Sequence, residues 1–225
     1  MTVVITGASR GIGKELINFF LENNVQVIAI TSNPLKIKAQ TNLQIIAANF
    51  NTMDAVFKTA QQIKRLTKEV TVLINNAATL VSKSFTEISV ADFEDTYRIN
   101  VEAPFFLTQQ LVDVMGLTKT AHIVNISSIG GFMGSVKFSG LSAYSSSKGA
   151  LSVLTECLAE ELKDKNIRAN CLCLGSVNTE MLKQAFPGYE APLHPKQMAH
   201  YIGNFALTGH TFFNGKVLPV SISTP

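Results

Sequence analysis

Thr6-Gly7-Ala8-Ser9-Arg10-Gly11-Ile12-Gly13 stands between a short β-branched run, Val3 to Ile5, and a helical pattern over about 11 to 23. Its position between the two decides the reading. Glycine tolerates positive φ and carries no Cβ, so the amides of such a loop can close on a pyrophosphate. The helix that follows adds free N–H groups and a partial positive charge. An ordinary Gly-rich turn is the alternative, and a loop that joins a strand to a helix argues against it.

Working outward, the same alternation recurs along the chain. Apolar runs lie at Val3 to Ile5, Val25 to Ile30, Leu43 to Ala48, Val70 to Ile74, His122 to Ile126, Ile167 to Leu174 and Lys216 to Val220. Helical patterns lie between them at about 11–23, 52–67, 90–115, 143–164 and 195–206. Near-continuous Val, Ile and Leu mark strands covered on both faces. With no repeat or linker in between, the pattern predicts one α/β domain over 1–225, a doubly wound parallel sheet of about seven strands. Ligands of such sheets bind beyond the carboxyl ends of the strands.

Composition narrows the class. The 225 residues are 46% hydrophobic and 16% charged, with mean hydropathy +0.22, so the chain can bury a core and is not disordered. A net charge of +3 is far from the basic surface that nucleic acid requires. Cys157, Cys171 and Cys173 form no CxxC pair, so neither a metal site nor a disulfide framework is expected, and a reducing compartment is. The amino-terminal apolar run is too short for a signal, and no stretch reaches the length of a membrane span. The expectation is a cytoplasmic protein with no membrane and no nucleic-acid partner.

Two segments bear on cofactor and chemistry. Where an NAD-binding fold has an acidic residue ending the second strand, this chain reads Thr31-Ser32-Asn33. Ser32 and Asn33 can donate hydrogen bonds and Arg10 adds a cation, which favours NADP over NAD. Tyr144-Ser145-Ser146-Ser147-Lys148 sets a phenol and an ammonium four residues apart, on one helix face. A neighbouring cation would pull the phenol toward working pH, as a general acid/base needs. A surface tyrosine on an exposed helix face is the alternative. In Arg98-Ile99-Asn100-Val101-Glu102-Ala103-Pro104, the proline cannot donate to the Asn100 carbonyl, so a kink is expected there.

The glycine spacing, Asn75-Asn76-Ala77-Ala78 after the fourth strand, Ser128 near the end of the fifth, the Tyr144/Lys148 pair and Gly175-x-Val177-x-Thr179 occur in one order. Together they resemble the short-chain dehydrogenase/reductase family of the classical type. That resemblance implies a Rossmann fold and hydride transfer between NADP(H) and a carbonyl compound or its alcohol. It casts Tyr144 as acid/base, Lys148 as the group that lowers its pKa and holds the ribose, Ser128 as the residue orienting the substrate oxygen, and Asn100 as a proton relay. For the cofactor it implies Gly7, Ser9, Arg10, Gly11, Ile12 and Gly13 at the phosphates, with Ser32 and Asn33 at the ribose. Asn49 and Phe50 would lie near the adenine, where an aspartate is usual. Asn76, Ala77 and Ala78 would lie along the adenosine side, and Gly175, Val177 and Thr179 beside the nicotinamide, with Leu174 in place of a proline.

Tyr144 lies 16 positions after Ser128, about three more than is usual in the family, which keeps Ser127 as a lesser candidate. The resemblance also implies a homodimer or homotetramer through the helices at 90–115 and 143–164, with Phe105, Phe106 and Leu107 in contact. Two segments are expected to wall the substrate pocket: Ile129 to Ala143, with Phe132, Met133, Phe138 and Leu141, and a short lid at about 180–194, with Phe186 and Tyr189. Both are mainly apolar, which suggests a small or medium apolar carbonyl substrate and a pocket left open or completed by a neighbouring subunit. An epimerase or dehydratase using the same Tyr–Lys pair, and a non-catalytic NADP(H) sensor, remain as alternatives.

Overall fold

The computed structural model describes residues 1–222. Seven parallel strands form one sheet: β1 (Thr2–Thr6), β2 (Gln26–Thr31), β3 (Leu43–Ala47), β4 (Val72–Asn75), β5 (Ala121–Ser128), β6 (Ile167–Leu174) and β7 (Val217–Val220). Their order is β3-β2-β1-β4-β5-β6-β7, so the chain reverses direction across the sheet between β1 and β4. The connecting helices are α1 (Gly11–Glu22), α2 (Met53–Leu66), α3 (Val90–Tyr97), α4 (Ala103–Leu111), α5 (Ser142–Glu161), α6 (Glu180–Ala185) and α7 (Pro195–Thr208).

Both faces of the sheet are covered, which is why the central strands read as unbroken apolar runs. Leu16, Ile17 and Phe20 of α1 join Ala199 and Ile202 of α7 over one face. Val56 and Ile63 of α2, Leu107 and Leu111 of α4 and Ala159 of α5 cover the other. Leu107 is wholly buried there. It therefore cannot form the intersubunit contact expected of it, whereas Phe105 on the same helix is exposed.

The single helix expected over 90–115 is instead two, joined by a π-helical turn, Arg98–Glu102. Pro104 has no N–H for the Asn100 carbonyl, and the chain answers by widening its turn, with the Ala103 N–H donating to the Arg98 carbonyl five residues back. Leu174, which replaces the expected proline, stays in β6 and is paired with Ser128 on one side and Val220 on the other. The turn after it is thus anchored by the sheet.

Candidate active site

β1 and β4 part at their carboxyl ends, and the glycine loop is fastened into the gap. Thr6 Oγ1 accepts from the backbone N–H groups of Asn76 and Ala77 at 3.0 and 2.9 Å, while Asn76 Nδ2 donates to the Thr6 and Gly7 carbonyls at 3.0 and 3.2 Å. Close packing here requires bare Cα atoms. Gly7 has φ +68°, and a Cβ on it would sit 2.7 Å from Ala77 Cα; a Cβ on Gly13 would sit 2.2 Å from the Gly7 carbonyl oxygen. The start of α1 has neither a side-chain cap nor an acidic residue in its first turn, so its amides are directed at the cleft unopposed.

A cleft of about 310 Å³ runs from this loop along the carboxyl edge of the sheet. Gly7, Ser9, Arg10, Gly11, Ile12 and Gly13 line one end, with Ser32, Asn49 and Phe50 beside them. Asn76, Ala77 and Ala78 line its middle, and Ser128, Tyr144, Lys148, Gly175, Val177 and Thr179 its other half. Two expected residues do not reach it. Asn33 lies outside the lining, its backbone N–H donating to Thr31 Oγ1 at 3.0 Å. Asn100 is buried behind the wall, its amide clasping the Thr79 backbone N–H and carbonyl at 2.9 and 3.0 Å and donating to Ser147 Oγ at 3.0 Å.

The cleft suits a dinucleotide in its donor set. Besides the uncapped helix start, the lining includes Ser145 and Ser176, whose buried hydroxyls have no hydrogen-bond partner among the described residues. Sequence reasoning passed over both, because a serine beside the recognised positions carries no pattern of its own. Arg10 does line the cleft, yet its guanidinium donates to Glu180 Oε2 at 3.1 Å, a partner that nothing in the sequence indicated.

Ser128, Tyr144 and Lys148 converge. The Ser128 hydroxyl neighbours the Tyr144 phenol and favours its ionised form, and Ser128 Oγ accepts from the Gly130 N–H at 3.2 Å. Lys148 Nζ lies 5.9 Å from the centre of the Tyr144 ring and donates to the Ile126 carbonyl at 2.7 Å. Ser127 also lines the cleft, but its hydroxyl donates to the Lys148 carbonyl at 2.8 Å, holding α5 to β5. The expected lowering of the phenol by the lysine is not found. Burial pushes Tyr144 up to about 12, with the Ser128 hydroxyl opposing only in part, and burial pulls Lys148 down to about 8. Desolvation sets the direction of both shifts.

The substrate end is apolar. Leu80, Ile99, Phe138, Leu141, Met181 and Phe186 line it, and Phe138 meets Phe186 edge to face at 5.3 Å. Phe132, Met133 and Tyr189 do not line it, contrary to expectation; Met133 is 90% exposed, on the outer side of its loop. The segment expected as a short lid contains α6, capped by Thr179 Oγ1, which accepts from the Leu182 N–H at 3.2 Å. Its six residues are too few for a periodicity legible in the sequence.

This arrangement of fold and cleft has known counterparts. The family model described as short chain dehydrogenase matches residues 1–190, and the chain belongs to that family. An uncharacterized oxidoreductase of Thermotoga maritima is 33% identical over 188 residues, covering 80% of this chain and 73% of the relative. Among solved structures, 4-hydroxyisoleucine dehydrogenase complexed with NADH superposes with a TM-score of 0.87 at 24% identity, covering 98% of this chain and 96% of the other. The RhlG/NADP active-site complex of Pseudomonas aeruginosa does so with a TM-score of 0.85 at 24% identity, covering 98% and 94%. At these identities the structures speak to the fold. No helix among the described residues is long and apolar enough to cross a membrane.

Proposed function

We propose that this chain is an NADP(H)-dependent oxidoreductase that interconverts a carbonyl compound and its alcohol, with Tyr144 as general acid/base. The observation that carries the reading is the convergence of Tyr144, Ser128 and Lys148 in the same cleft as the uncapped, glycine-lined start of α1. A nicotinamide dinucleotide, when bound, supplies or accepts the hydride. Gly7 to Gly13 hold its phosphates, and Ser145 and Ser176 give hydroxyls to its polar edges. NADP is favoured over NAD because no carboxylate follows β2 and Arg10 faces the same end. Family structures of this fold carry either NADH or NADP, so the preference rests on those residues.

In the reductive direction the Ser128 hydroxyl holds the carbonyl oxygen and the Tyr144 phenol gives it a proton. With a pKa of about 12 the phenol is fully protonated near neutrality, as a proton donor must be. Lys148 holds a positive charge beside it, and Asn100 fixes the turn of α5 that carries it. Apart from Lys148 and Glu180 the residues lining the substrate end are mainly apolar, which favours a small or medium apolar carbonyl compound as substrate. The whole chain acts as one catalytic unit with residues 180–194 as lid, in the cytoplasm, as a homodimer or homotetramer through the faces that bear Phe105 and Val153.

The test is NADPH oxidation by the purified protein over a panel of aldehydes, ketones and diketones. Consumption with an apolar member supports the reading. Binding of NADPH without oxidation of any member overturns it in favour of a sensor, and epimer formation without net oxidation in favour of an epimerase.

A further inference from the structure

The ion pair between Arg10 and Glu180 joins the glycine loop to the lid. Arg10 is the residue before α1, inside the glycine loop, and Glu180 is the first residue of α6 in the lid. Their contact is 3.1 Å, with side chains 49% and 62% exposed. Packing brings them together: a Cβ on Gly11 would lie only 3.3 Å from Thr179 Cγ2, so the root of the lid rests on the glycine loop itself. The far side of α6 is held by Phe186 against Phe138. The lid is thus tied to the cofactor end by charge and to the substrate end by an aromatic edge.

Among the described residues Arg10 is also the only arginine or lysine in the lining at the end where β2 closes without a carboxylate. A guanidinium already neutralised by Glu180 attracts a phosphate less, and the Glu180 carboxylate repels one. A phosphate monoester bears nearly two charges and three acceptor oxygens, so it outcompetes a solvent-exposed carboxylate for the same guanidinium. A dinucleotide with a free 2′-hydroxyl lacks this monoester dianion, and its pyrophosphate is met by the loop amides, so it competes for Arg10 far less and leaves the pair in place.

We infer that Glu180 is a specificity-determining residue, which competes with a ribose 2′-phosphate for Arg10 and so couples the kind of dinucleotide bound to the hold of the lid. This rests on the cleft being a dinucleotide site, as proposed above. A phosphorylated dinucleotide takes Arg10 and frees α6 from the glycine loop, whereas an unphosphorylated one leaves α6 tethered.

The experiment measures dissociation constants of NADPH and NADH by cofactor fluorescence for the wild type, Glu180→Gln, Arg10→Gln and the double variant. Hydrogen exchange of the α6 amides with each cofactor is followed in parallel. Glu180→Gln is expected to tighten NADPH by roughly two- to five-fold, the range of an exposed ion pair, and to leave NADH unchanged. The gain vanishes when Arg10 is already Gln, since the two substitutions share one interaction. NADP⁺ speeds exchange in α6 relative to NAD⁺ in the wild type and not in Glu180→Gln. If both cofactors bind the wild type and Glu180→Gln shifts neither, or both equally, the inference is wrong and the cofactor reading stands. If neither cofactor binds the wild type, both fall.

Discussion

Asn100 Nδ2 donates to Ser147 Oγ at 3.0 Å, and Ser147 Oγ in turn donates to the Tyr144 carbonyl at 2.7 Å, so an amide in the π-turn is linked to the backbone of the candidate acid. The same amide clasps both backbone groups of Thr79, and Asn100 is fully buried. Its removal strands several buried polar groups, each costing about 1–3 kcal/mol. Asn100→Ala is therefore expected to lower stability by about 3 kcal/mol in urea unfolding. An unchanged urea midpoint for Asn100→Ala would remove Asn100 from this role.

Tyr144→Phe deletes the hydroxyl and little volume, so NADPH affinity is expected to stay nearly constant while turnover disappears; preserved turnover excludes Tyr144 as the acid. The wild type also carries a directional signature. A phenol raised to about 12 is protonated across the neutral range, so carbonyl reduction should be nearly flat there. Alcohol oxidation needs the phenolate and should climb steadily as pH rises. Initial rates in both directions across that range check this, and an oxidative rate independent of pH contradicts it.

The sequence made the sheet legible because a strand covered on both faces must be apolar at nearly every position, as in Val3-Val4-Ile5, and no other element of four to eight residues is. The glycine loop was legible for a steric reason, the absence of room for a Cβ at Gly7 and Gly13. Pro104 announced a disturbance of the helix, but a missing N–H is compatible with a bend or a wider turn, and only the packing of Asn100 against Thr79 and Ser147 chose the π-turn. The Arg10 to Glu180 contact spans 170 positions and joins two exposed side chains, so no local pattern records it. The direction of the Tyr144 shift was misjudged because spacing reveals a neighbouring charge and does not reveal burial.

Gly13 offers a test in which two effects have opposite signs. It lies inside α1, where exchange of glycine for alanine ordinarily stabilises by about 0.5–1 kcal/mol. Its new Cβ would nevertheless sit 2.2 Å from the Gly7 carbonyl oxygen, a backbone atom that can yield only by moving the loop. The clash should win. Gly13→Ala is expected to destabilise by about 1–3 kcal/mol and to abolish NADPH binding. Gly149→Ala in α5 is the control, because its Cβ meets only the Gly131 carbonyl oxygen at an ordinary 3.4 Å, and it should be neutral or mildly stabilising. Thermal unfolding of both variants, with NADPH titration of the first, distinguishes the outcomes; a Gly13→Ala protein as stable as wild type would mean that the loop is not packed as described.

His122 is a buried titratable group away from the cleft, and it makes stability depend on pH. Asn170 Nδ2 donates to its Nε2 at 3.0 Å, which leaves the Nδ1 proton for the Ala206 carbonyl, also at 3.0 Å. The ring is therefore neutral, and it ties β5 to α7 and β6. Burial, aided by nearby His210, holds its pKa down to about 4, from 6.5 when unfolded. Because the folded value is depressed, the unfolded chain takes up the proton first. The stabilisation is present above pH 6.5 and is lost as pH falls toward about 4, a change on the order of 3 kcal/mol. Urea unfolding at a series of pH values should show this decline in the wild type and a shallower one in His122→Gln, which has no proton to gain. Equal slopes for the two proteins would show that His122 is not held neutral in the folded state.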